Sequence, residues 1–322
     1  MLDIVLEHIN TIPNFDNDYD IVSHFITLNG DAIYLHKKKL SSDNSNSGEK
    51  HYKVVKQSKT SVIEILLPPI ITRSHLAPII DIFSDGSLLI VDRRCQYRSV
   101  DDYDYNGMIY NPTTKTILKF LAGDGIEQVL IDRDDHIWIS YFDEGICGNY
   151  GWGNVLVPPF TKPIGKSGVN CFDSKGNIIW SFNDTEKIID DCYAMNITSK
   201  GTHIFYYSDF DFCTISKNFQ TQFFTSELAG CSTFAMSDNY LLFNGQYDDP
   251  ISTAYLVKKT KESLVTATPV TLRPNYGESF LEGFLIGRDE KLHLFTSTDW
   301  YAISARDAFE QTTEYAQNTS YN

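Results

Sequence analysis

The sequence lacks any excess of positive charge. Against 42 Asp and Glu stand 27 Lys and Arg, a formal net charge of -15. The clustered cations that a phosphate-binding surface needs are therefore missing, and no nucleic-acid partner is expected. Long apolar runs are missing as well: nothing approaches the roughly 20 residues that span a bilayer. The opening MLDIVLEHINTIPNFDND carries acids where a secretory leader carries bases, so the expected location is the cytosol, with no membrane partner. Six cysteines (Cys95, Cys147, Cys171, Cys192, Cys213, Cys231) are scattered without a Cys-x-x-Cys pair. That spacing fits neither a zinc knuckle nor a compact disulfide framework and predicts reduced thiols, mostly packed in strands. The sequons at Asn183, Asn196 and Asn318 then carry no sugar, since glycosylation requires secretion. Gly-rich phosphate loops, His-Glu-x-x-His helices and Gly-x-Ser-x-Gly elbows are absent, and no cofactor is expected.

What the chain does have is apolar and aromatic content: 322 residues, 42% hydrophobic, with 19 Tyr and 20 Phe. Aromatic residues favour strands, and the length permits one large domain or two ordinary ones. A repeat organises it. HFITLNGDAIYLH (24–36), DIFSDGSLLIVD (81–92), VLIDRDDHIWISY (129–141), AMNITSKGTHIFYY (194–207), TFAMSDNYLLFNG (233–245) and GFLIGRDEKLHLF (283–295) each read as strand, polar turn, strand. The turn positions Gly30, Gly86, Asp135, Gly201, Asn239 and Glu290 recur about every 50 residues, the length of one four-stranded propeller blade. NGMIYNPTTKTILKFL, VNCFDSKGNIIWSFN and FCTISKNFQTQFFTS supply outer strand pairs after the second, third and fourth hairpins. The last unit offers WYAIS (300–304) and no fourth strand of its own, a place the N-terminal LDIVLEHI can fill, hiding a sheet edge.

The expected fold is all-β: a six-bladed β-propeller closed by the N-terminal strand. Seven blades is the alternative count, and a large β-sandwich or two smaller β domains the alternative architecture. One domain is expected over 1–310, followed by a polar tail at 311–322. DRDDHIWISYFDEG (132–145) is similar to the Asp-x-x-Gly-x-hydrophobic-Trp repeat of bacterial sensor-type and NHL-type propellers, with Asp135, Asn239 and Glu290 standing where the turn glycine is usual. The resemblance implies the fold along the chain and leaves the function open, because propellers host unrelated activities.

In a four-stranded blade the loops after each second strand share a face. Here they mix carboxylates with aromatics. Asp101, Asp102, Asp104, Asp143, Glu144, Asp209, Asp211, Asp248, Asp249 and Asp299 are expected together with Tyr103, Tyr105, Tyr141, Phe142, Tyr150, Trp152, Phe210, Phe212, Tyr247 and Trp300. Aromatics give contact area at low entropic cost and charges steer a partner of opposite sign. The first unit departs from this, with His36, Lys37, Lys38 and Lys39 and the polar loop SSDNSNSG, expected to move freely. The expected function is that of a non-enzymatic, acidic immunity protein whose face occupies a basic nuclease toxin. The alternatives are a small-molecule sensor and a lactonase-like, metal-dependent hydrolase. In the hydrolase reading Asp143, Glu144, Asn149, Asp209 and Asp248 would converge on a divalent ion. No inner strand is read as holding an isolated carboxylate, and no metal site is assigned.

Overall fold

The computed structural model describes residues 1–13, 17–39, 50–154, 161–275 and 282–319. The loop SSDNSNSG lies outside them. The chain divides into two compact units, residues 14–192 and residues 1–13 with 193–322. The first strand, β1 (Leu2–Thr11), belongs to the second of these.

The 14–192 unit holds three four-stranded sheets in simple antiparallel succession. The first is β2 (Tyr19–Ile26), β3 (Ala32–Lys38), β4 (Tyr52–Gln57) and β5 (Val62–Leu66). In the second, β6 (Ile79–Ile82) and β7 (Leu88–Val91) are followed by a short hairpin, β8 (Tyr97–Ser99) with β9 (Asp102–Tyr103). Then β10 (Gly107–Tyr110) and β11 (Ile117–Phe120) complete it. The third is β12 (Ile126–Ile131) and β13 (Ile137–Tyr141), a short helix α1 (Asp143–Cys147), then β14 (Val169–Phe172) and β15 (Ile178–Ser181). The second strands of the second and third sheets are mostly apolar because both their faces are covered: LLIV of β7 and IWISY of β13 are buried throughout. The outermost strands β5 and β15 are largely exposed.

The other unit holds β16 (Asp191–Thr198), β17 (Gly201–Tyr207), β18 (Asp211–Ile215) and β19 (Thr221–Phe224) as one sheet. An eight-stranded sheet follows, from β20 (Phe234–Ser237), β21 (Tyr240–Asn244), β22 (Thr253–Lys259), β23 (Leu264–Pro274), β24 (Phe284–Arg288), β25 (Lys291–Phe295), β26 (Asp299–Ser304) and β1. Strand β1 joins its two halves: Leu2–Leu6 run parallel to Val270–Pro274, and Glu7–Thr11 run antiparallel to β26. Residues 311–319, expected as a polar tail, continue a helix, α2 (Ala305–Thr319). Its Gln311 side chain accepts a hydrogen bond from Val5 N and donates one to Val5 O. The core here is aromatic; Phe234 and Phe243 lie 5.0 Å apart and Phe212 and Phe234 5.4 Å, pairings worth about 0.5–1.5 kcal/mol each beyond burial.

All six sequence-read hairpins are present. Gly30 and Gly86 take positive φ at their turns, and Asp135 does so where the glycine is replaced, a conformation Asp tolerates through its short polar side chain. At the last two turns the positive-φ residues are Asp238 and Asp289, one position before Asn239 and Glu290.

Buried polar side chains tie together strands that do not pair with each other inside each unit. Asp81 on β6 is buried, and its Oδ2 accepts from Ile131 N on β12 at 2.8 Å. It corrects the expectation that no inner strand holds an isolated carboxylate: it serves as a hydrogen-bond acceptor for the next sheet. Asn196 on β16 accepts from Asp289 N at 2.8 Å and donates to Phe234 O at 2.9 Å. Thr233 Oγ1 accepts from Gly287 N at 2.7 Å. Each of the three stands five residues before the positive-φ turn residue of its hairpin (Gly86, Gly201, Asp238).

Candidate functional site

The loops after β7, β11 and β13 meet around Arg94. Its Nη1 lies 2.6 Å from Glu144 Oε2 and its Nη2 3.0 Å from Asp124 Oδ2. The guanidinium carbon sits 4.3 Å from the Tyr150 ring centroid and 5.4 Å from that of Phe142, within cation–π range. Burial pushes the Asp124 carboxyl up to about 6. The exposed Glu144 is held below its ordinary range by its bond to Arg94. Asp124 also accepts from Cys95 N at 2.7 Å, and Cys95 O accepts from Trp152 Nε1 at 2.9 Å. Gly125 fits against α1 because a Cβ there would meet Gly145 N at 2.3 Å.

A second charged knot lies on the β8–β9 hairpin. Asp104 accepts from Arg73 Nε and Nη2, from Arg98 Nη1 at 3.0 Å and from Gln96 N at 3.0 Å. Burial raises its carboxyl, but these donors outweigh burial and hold it below the ordinary value. Asp102 pairs with Arg98 Nη2 at 2.6 Å. Tyr97 stacks on Tyr103 and tilts against Trp152.

These two knots flank a cleft of about 560 Å³ within the 14–192 unit. Ile70, Ile90, Met108 and Ile117 form its apolar wall, and Tyr103 and Tyr105 its aromatic one. Arg73, Arg94, Lys119, Asp92, Asp104 and Asn106 bring the polar groups. Asp92 is buried, which raises its carboxyl, while the backbone N–H groups of Arg73, Ser74 and Arg94 pull it down.

The expected acidic, aromatic face is thus only partly what the structure presents. In the 14–192 unit Asp101, Tyr105, Asp143 and Tyr150 are exposed, whereas Asp102, Asp104 and Glu144 are paired with arginines. Tyr141 and Trp152 are buried, with Tyr141 Oη donating to Ala122 O at 2.6 Å, and offer a partner no surface. In the other unit Asp209, Tyr247 and Asp248 are exposed, and Phe210 packs among Tyr193, Phe205 and Tyr247. There Asp211, Phe212 and Trp300 are buried. Asp249 accepts from Tyr255 Oη, and Asp299 is bonded by His8, Thr11 and Thr298. Reading the loops for acids and aromatics alone missed Arg73, Arg94, Arg98 and Asp124. The signal was present in RRCQYRSVDDYDYNG, where Arg94 and Arg98 precede the acids.

Among the described residues one His/Asp group has the spacing of a metal site, Asp132, Asp134 and His136. Asp132 already accepts from the backbone N–H groups of Asp134 and His136 and from Trp138 Nε1, each at 2.9 Å. That set fastens the β12–β13 turn. Glu144, one of the expected oxygen ligands, is taken by Arg94. No helix among the described residues is long and apolar enough to cross a membrane.

Residues 169–301 match the YxzG family, and no curated protein matches the chain. Among solved structures, the virginiamycin B lyase of Staphylococcus aureus is similar at 9% identity and a TM-score of 0.50, over 91% of this chain and 98% of the lyase. A streptogramin B lyase (10%, TM-score 0.49, 93% and 97%) and a gluconolactonase from Xanthomonas campestris (7%, TM-score 0.44, 92% and 98%) are more distant in fold. Against the expectation of a chain without catalytic function, the three similar structures named here are enzymes. At such identity the likeness carries the fold and no chemistry. The chain is a propeller-like, all-β repeat protein.

Proposed function

We propose that the chain binds a small organic molecule in the cleft of the 14–192 unit and acts on it as an enzyme of the propeller class. The cleft itself carries the reading. Its volume of about 560 Å³ falls in the roughly 300–1,000 Å³ range of ligand sites, and an apolar wall with a few convergent polar groups is their usual composition. The buried Asp92 carboxyl, raised by its surroundings, is the kind of perturbed group that marks such sites. The virginiamycin B lyase named above is by name an enzyme of a small molecule; that supports the class and leaves the substrate open.

In this reading the four four-stranded sheets and the two halves of the eight-stranded sheet count as six blades, β1 being the fourth strand of the sixth. The earlier expectation of a basic nuclease toxin as partner has less to stand on, because Asp102, Asp104 and Glu144 spend their charge on arginines of the same chain.

Native mass spectrometry of the purified chain, compared with its Ile117→Trp variant, tests the site. Ile117 is 46% exposed, so the larger ring fills the cleft without unfolding β11. The expected result is a bound mass, or a hit from a small-molecule library, that the variant loses, followed by its conversion on incubation. Equal binding by the variant places the ligand elsewhere and overturns the reading.

A further inference from the structure

The hydrogen-bonding capacity of the cleft is lopsided, and the imbalance names the ligand's charge. Its acceptors are spent. Asp104 takes four donors, two from Arg73 and one each from Arg98 and Gln96 N, which fills a carboxylate's lone pairs. Asp92 takes the backbone N–H groups of Arg73 and Ser74. The Asn106 amide donates to Asp92 O and Gly123 O and accepts from Ala122 N. The donors are not spent. Arg94 Nε is buried with no acceptor among the described residues. The Tyr103 hydroxyl accepts from Tyr105 Oη at 3.4 Å and keeps its own proton to give. Lys119 forms no ion pair among the described residues and brings an ammonium with three more donors. The chain as a whole is strongly acidic, yet four of its eight arginines fall between positions 73 and 98.

We infer that the cleft takes an apolar or aromatic molecule carrying one anionic oxygen group, a carboxylate in the simplest case. The anion meets Tyr103, Lys119 and Arg94, and the apolar body lies on Ile70, Ile90 and Met108. This rests on the cleft being the ligand site. A ligand carboxylate supplies the acceptors these donors lack, whereas a cation would meet carboxylates already saturated and an unanswered ammonium.

Three isosteric probes test it by titration calorimetry: 1-naphthoate, 1-naphthalenemethanol and 1-naphthylmethylammonium, with inorganic phosphate as competitor. The expected result is that naphthoate binds at least ten-fold tighter than the alcohol and that the ammonium binds weakest. Lys119→Gln and Tyr103→Phe should each weaken naphthoate several-fold and leave the alcohol unchanged. Comparable binding of all three probes, all lost in Ile117→Trp, keeps the cleft as the site and overturns the anion preference. No binding of any probe, or binding that Ile117→Trp leaves intact, overturns the cleft reading together with the inference. Displacement of naphthoate by phosphate at equal concentration overturns the apolar part, since the site then selects charge alone.

Discussion

Arg94 Nη2 and Asp124 Oδ2 stand 3.0 Å apart with 13% and 2% of their side chains exposed, a nearly dry ion pair beneath the loop that carries α1. Removing one partner of such a pair strands the other's charge. Arg94→Met should therefore lower unfolding stability by about 3 kcal/mol. Glu144→Gln, which deletes the half-exposed partner on the other side of the same guanidinium, should cost no more than about 1 kcal/mol. Urea melts of both variants decide the ranking; equal losses would mean the buried pair contributes nothing special.

The buried histidines make stability depend on pH. His203 lies between Thr198 Oγ1 at 2.9 Å and Thr214 Oγ1 at 3.0 Å. Burial, with Lys259 and Lys200 nearby, lowers it from 6.5 to about 3; His293 is lowered likewise by burial and Lys291. The unfolded chain takes up these protons first, so the stability they protect is whole above pH 6.5 and drains as pH falls from 6.5 toward 3, by ~1.4 kcal/mol per pH unit for each. Asp124 and Asp191, both raised chiefly by burial from 3.8 to about 6, work in the opposite sense over ~4 to 6. Replacing His203 by Asn should flatten the acid limb of a stability–pH curve; an unchanged slope refutes the assignment.

Asp81→Ala leaves Ile131 N without its acceptor in a buried strand, at a cost of about 1–3 kcal/mol. Asp81→Asn keeps an oxygen there and should lose much less. Hydrogen exchange at the Ile131 amide reads the difference directly, fast in the alanine variant and protected in the other.

Gly86 has φ of +84°, and a Cβ added there meets nothing within 4 Å. Any cost of Gly86→Ala is thus backbone strain alone, about 1–2 kcal/mol. Asp135→Gly relieves the same kind of strain at φ 59°, but it also removes the acceptor of Ser84 N at 2.9 Å and should be close to neutral. Thermal melts showing Gly86→Ala as the milder change would contradict this.

The hairpins were readable because their information is local: apolar runs of strand length around a turn with Gly or Asp in it. Turn placement slipped by one at Asp238 and Asp289, since without glycine several polar residues compete for the positive-φ position. The ties made by Asp81, Asn196 and Thr233 were not readable, because each partner lies outside the residue's own hairpin and the residue looks like an ordinary polar break in a strand. The cleft was half readable. Tyr103, Asp104 and Tyr105 were singled out from their loop, but Arg73 arrives from the preceding connection, and only the fold shows that it cancels Asp104. Helix α2 was lost to the polar composition of its exposed positions.

The dual pairing of β1 also sets the order in which the molecule can be finished. His8 finds Asp299 across 291 residues, so β1 is made well before the strands that pair with it and is among the last to be satisfied. Until β23 and β26 exist, it carries two unpaired edges. Closing so long a loop adds only about 0.6 kcal/mol per doubling of length, but pairings of such high contact order are slow. The 14–192 unit, whose sheets are each built from strands close together in the chain, is therefore expected to fold first in refolding experiments, with the sheet that contains β1 forming in the late phase.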